Sequence, residues 1–91
     1  MRITKIHMRY GCEYSDDVLE IESVFIPDCV NPKFYRKEDV HDYLKQHPGT
    51  IYVDRYPYPN VIPAVSQNGE KYIRSEPNDT TNDNLLKLPR V

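Results

Sequence analysis

The sequence predicts an α+β fold: about five mainly antiparallel strands and one helix packed on the sheet, in the order ββαβββ, with an ordered C-terminal tail. Three features predict it. Short stretches alternate apolar and polar residues toward both ends of the chain, one segment spaces its apolar residues as a helix does, and Gly or Pro stands between them. A chain of 91 residues has the size of one domain, residues 1–91, with one core.

From Ile6 to Tyr10 apolar and polar side chains alternate, which with Ile3 upstream describes a strand with one wet face, ended by Gly11. Residues 17–26 hold Val18, Leu19, Ile21, Val24, Phe25 and Ile26 with Glu20 and Glu22 among them, a second strand stopped by Pro27 and paired with the first as a hairpin. A turn-rich connector with Asn31-Pro32 follows. Residues 34–47 carry Val40, Tyr43, Leu44 and His47 on one helical face, to lie against a sheet, with His41 exposed. Glu38 and Asp39 suit the first turn of that helix, Lys45 and His47 the last, and Pro48-Gly49 the stop.

Residues 50–56 alternate again as a third strand, broken by Pro57-Tyr58-Pro59-Asn60. Residues 61–66 form a fourth, and Pro63, which has no N–H for a ladder, places it at an edge or a bulge. Asn68-Gly69 reads as a type I′ turn, because both of its central positions need positive φ, and residues 71–75 return as the fifth strand.

The formal net charge of -2 gives no broad positive field, so nucleic acid is not the expected partner, although local basic clusters are compatible with it. No apolar run is long enough to span a membrane and the first residues lack a secretory pattern, which makes the cytoplasm the expected compartment. Cys12 and Cys29 form neither a disulfide framework nor a CxxC pair and are expected as free thiols. With His7, His41 and His47 they show no zinc spacing, so no metal and no cofactor are expected.

Gly69, Lys71, Tyr72, Ile73, Arg74 and Ser75, followed by Pro77, Asp79, Thr80, Thr81, Asp83, Asn84, Leu85, Leu86, Leu88 and Pro89, resemble the C-terminal signature of a family of small bacterial and prophage proteins. That family is a domain of unknown function. The resemblance implies the fold and a bacterial or phage setting, and no activity, cofactor or catalytic residue.

Two groups of residues remain as candidate sites. Tyr52, Tyr56 and Tyr58 with Pro57 and Pro59 form an aromatic-proline surface suited to protein contacts or self-association, since Tyr offers area and a hydroxyl with little entropy to lose; packing is the competing use. Tyr43 and Tyr72 read as packing. Arg74 with Asp79, Thr80 and Asn84 could hold a small anionic, nucleotide-like ligand, while Arg74 could equally tie its strand to Asp79 or Asp83. The polar residues 78–84 read first as turns and caps that aim Leu85, Leu86 and Leu88 back onto the core. No HExxH, GxSxG, phosphate loop or nucleophile-base spacing occurs, so catalysis is not expected.

Overall fold

The first alternating stretch divides at Thr4, and its halves join different sheets. The computed structural model describes residues 1–77 and 83–91. The strands are β1 (Arg2–Ile3), β2 (Lys5–Met8), β3 (Ile21–Ile26), β4 (Lys33–Arg36), β5 (Tyr52–Val53), β6 (Val61–Val65) and β7 (Lys71–Ser75). The helix is α1 (Lys37–Gln46), and single 3₁₀ turns lie at Val18–Glu20 and Asn84–Lys87. β2, β3 and β4 form an antiparallel sheet, β6 and β7 an antiparallel hairpin, and β1 and β5 a short parallel pair. The expected α+β class and the β2–β3 pairing are found.

Residues 33–36, expected as connector and first helical turn, are instead a strand. Phe34 and Tyr35 are good strand formers, and the register sets Phe34 opposite Phe25 with their rings edge to face at 5.2 Å. The helix therefore starts three residues later than its spacing suggests, at Lys37, and its buried face is Lys37, Val40, His41 and Leu44. That is the same i, i+3, i+4, i+7 template in a different phase. Tyr43 turns half outward, and its ring packs on His47 at 4.6 Å. His47 closes the helix as expected, its N–H donating to the Tyr43 carbonyl at 2.9 Å.

The β6–β7 connection also differs from expectation. Ser66 N–H donates to the Glu70 carbonyl at 2.9 Å, and Gly69 N–H to the Ser66 carbonyl at 3.0 Å. Three residues lie between that pair, and of Asn68 and Gly69 only the glycine has positive φ, +82°. This is a turn followed by one left-handed residue, which needs one glycine where a type I′ turn needs two permissive positions.

The tail closes the core. Leu85, Leu86 and Leu88 are buried in one cluster with Ile6 and Val24 of the sheet, Val40 and Leu44 of α1, and Ile73 of β7. Asp83 starts the last 3₁₀ turn by accepting from Leu85 N–H at 2.9 Å. It also accepts from Ser75 N–H at 3.0 Å and Ser75 Oγ at 2.8 Å, which fastens the tail to β7. Further on, Ile6 N–H donates to the Pro89 carbonyl and Val91 N–H to the Ile6 carbonyl, both at 3.0 Å, so the tail covers the free edge of β2.

Candidate functional site

The Tyr-rich bend between β5 and β6 stands on a stapled base. Val53 N–H donates to the Pro59 carbonyl at 2.9 Å, Val61 N–H to the Ile51 carbonyl at 2.9 Å, and Tyr58 N–H to the Arg55 carbonyl at 2.7 Å. Across this base Tyr58 meets Tyr52 at 6.4 Å and Tyr56 at 6.2 Å, each edge to face at 82°. Tyr56 is 82% and Tyr58 55% exposed, and Tyr52 is half-buried. Tyr58 has φ +60°, a left-handed conformation that costs an L-residue about 1–2 kcal/mol, so the surrounding hydrogen bonds hold the ring where it is. Pro57 is exposed. Pro59, expected on the contact surface, is buried because its carbonyl joins the staple.

Arg74 lies on β7 beside a small cleft of about 290 Å³ lined also by Asp16, Asp17, Asp83 and Tyr72. It forms no ion pair with Asp83; the strand-to-tail tie runs through Ser75 instead. Among the described residues the charge lining the cleft is mostly negative, and Asp17 and Asp83 are already accepting as caps from Leu19 and Leu85 N–H. Asn84 is buried, and its side-chain amide has no partner among the described residues. Asp79 and Thr80 lie outside the described residues.

The spacing gave no sign of a charged group inside the body. Lys37 is 1% exposed, and its ammonium donates to the Leu19 carbonyl at 2.6 Å and to Glu70 Oε2 at 2.5 Å. Glu70 also takes Arg9, which in turn lies 3.7 Å from Glu20. Burial, and next the charge of Arg9, hold the Lys37 amine below its ordinary value. The Cys12 thiol donates to Glu20 at 3.4 Å, a bond that keeps its proton on and pushes its pKa up, the opposite of what a reactive thiolate needs. His41, expected to be exposed, is buried with Nδ1 at 3.0 Å from the Tyr72 carbonyl and Nε2 unpartnered. Such a tie through Lys37 and Glu70 joins α1 to the β6–β7 hairpin. It is architecture.

A second aromatic pair, Tyr10 and Tyr14, is almost wholly exposed, on a loop held by Arg90 donating to the Glu13 and Ser15 carbonyls at 2.9 Å and by turn bonds from Cys12 and Ser15 N–H. Neither ring packs on another described ring. Cys12 and Cys29 are free thiols. Among the described residues no group of three or more His, Cys, Asp and Glu side chains could hold a metal ion, and no helix is long and apolar enough to cross a membrane.

Residues 2–89 match the family described as "Protein of unknown function (DUF3892)". The chain belongs to this family. The DUF3892 match spans the Tyr52–Tyr58 bend, Arg74 and the leucine tail alike, so none of these is an appendage to the shared domain. No curated protein and no solved structure matches the chain significantly.

Proposed function

We propose that the chain is a protein-contact module, working through a partner protein or a second copy of itself in a bacterial or prophage setting, with Tyr52, Tyr56, Pro57 and Tyr58 as its contact surface. One observation carries this reading: three tyrosines packed edge to face on a stapled base, with the outermost ring 82% exposed. Rings held in this way lose little freedom on binding, and Tyr is among the residues that dominate interface energetics. The alternative, an anionic ligand at Arg74, is supported less well by a cleft that carries three carboxylates around that arginine.

The test compares the wild type with Tyr56→Ala/Tyr58→Ala, using Tyr10→Ala/Tyr14→Ala as a control for exposed rings in general. Sedimentation velocity over a range of concentrations reads self-association, and affinity capture from the source cells reads a partner. The first double variant is expected to lose whichever signal the wild type gives while melting at the wild-type temperature, and the control to keep it. A signal retained by the first variant, or lost equally in both, contradicts the assignment.

A further inference from the structure

A cleft of about 580 Å³ opens between the loop that follows β3 and the side of α1, a volume within the range of about 300–1,000 Å³ usual for small-molecule sites. Its floor is apolar, because the buried core residues Ile26, Val40 and Ile51 reach it. Tyr35 and Tyr43 line it as well, and so does Val30, an aliphatic residue left 98% exposed.

The loop wall is fixed before any ligand arrives. Cys29 Sγ lies 3.2 Å from the Ile26 carbonyl and 3.0 Å from the Asn31 carbonyl, and Tyr35 Oη donates to the same Asn31 carbonyl at 2.6 Å. Sγ and Oη also meet at 3.2 Å, an interaction that pushes the Tyr35 hydroxyl up and keeps it neutral.

Charge decides what such a cleft takes. Two carboxylates, Asp28 and Asp39, line it with no Lys, Arg or His side chain, and the Met1 ammonium at its rim is held by the Thr50 carbonyl at 2.7 Å. Asp28 is engaged by Arg2, whose Nε approaches it at 3.1 Å. Asp39 is exposed and forms no ion pair among the described residues, and its place in the first turn of α1 sets its charge beside the helix's free amides. The face of the Tyr43 ring suits the same sign of ligand, while Tyr35 already carries the Lys33 ammonium 5.1 Å from its ring centre.

We propose that this cleft binds a small organic cation with an apolar body, its ammonium against Asp39 and its body between Tyr35 and Tyr43 above Ile51. An anion finds no cationic side chain among the lining residues there. The site is separate from the Tyr52–Tyr58 surface and does not depend on it.

The probe is phenethylammonium, compared by two-dimensional ¹H–¹⁵N NMR titration of the full chain with neutral 2-phenylethanol and anionic phenylacetate. Phenethylammonium is expected to move the amides around residues 28–31, 35 and 39–43, to bind about tenfold more tightly than the alcohol, and to leave phenylacetate without effect at these positions. Asp39→Asn is expected to bring the amine down to the affinity of the alcohol without changing the alcohol. Tyr43→Leu, at a half-exposed ring, is expected to weaken both. Equal binding of amine and alcohol, amine binding untouched by Asp39→Asn, shifts confined to other surfaces, or no shifts at millimolar amine would each overturn the proposal.

Discussion

Lys37 and Glu70 show how far one residue can depart from its sequence appearance. A lysine opening a helix looks like a solvated charge, and nothing local reveals that Glu70, distant in the chain, folds over it. Because the ammonium is buried while Glu70 keeps Arg9 as a second partner, the two deletions are unequal. Glu70→Gln strands a buried cation and is expected to cost about 3–5 kcal/mol in urea unfolding, whereas Lys37→Met replaces it with an apolar stem of similar length and is expected to cost about 1 kcal/mol. Similar losses in both variants would deny the asymmetry. The pH dependence has a definite sign: burial lowers the Lys37 pKa in the folded chain, so below 10.5 the unfolded chain binds this proton more tightly and stability rises with pH through that window. The stability advantage of wild type over Lys37→Met should therefore grow as the pH climbs from neutral toward 10.5, and a shrinking advantage would show that the amine is not desolvated.

The elements themselves were legible where one signal acted alone. Period-two alternation ended by a glycine marked β2, the turn at Asn68-Gly69 marked the return of β7, and the mixed run before the helix misled because Phe34 and Tyr35 fit either a helix start or a strand until β3 supplies a partner. The phase of α1 was hidden for a related reason, since Lys37 and His41 are polar by type and buried by contact. The tail was legible as an anchor, because three leucines so close together need cover; that Ser75 rather than Arg74 takes Asp83 was not, as both lie on β7 and side-chain reach is invisible in sequence. At this scale Leu85→Ala, at a fully buried side chain, is expected to cost about 2–5 kcal/mol. Asp83→Ala removes both the cap and the tie to Ser75 and is expected to cost about 1–2 kcal/mol. Unfolding free energies unchanged by both would mean that the tail is not part of the cooperative body.

Across the whole molecule, architecture and the proposed contact surface separate. In the tail Asp83 caps the last turn and fastens it to β7, the buried Lys37 ammonium ties α1 to the β6–β7 hairpin, and the core reaches the floor of the cleft beside α1. The Tyr52–Tyr58 bend is different, because its staple supports rings that point away from the core, and its composition marked it in the sequence as aromatic and proline-rich. Only the inward turn of Pro59 escaped, for it depends on a carbonyl bond to Val53. The most direct measurement places a photo-crosslinking amino acid at Tyr56 and, as a control at the exposed end of β6, at Val65. In the source cells, position 56 is expected to give one discrete adduct, to a partner or to a second copy, and position 65 none. An adduct from 65 with none from 56, or none from either, would contradict the contact role of the bend.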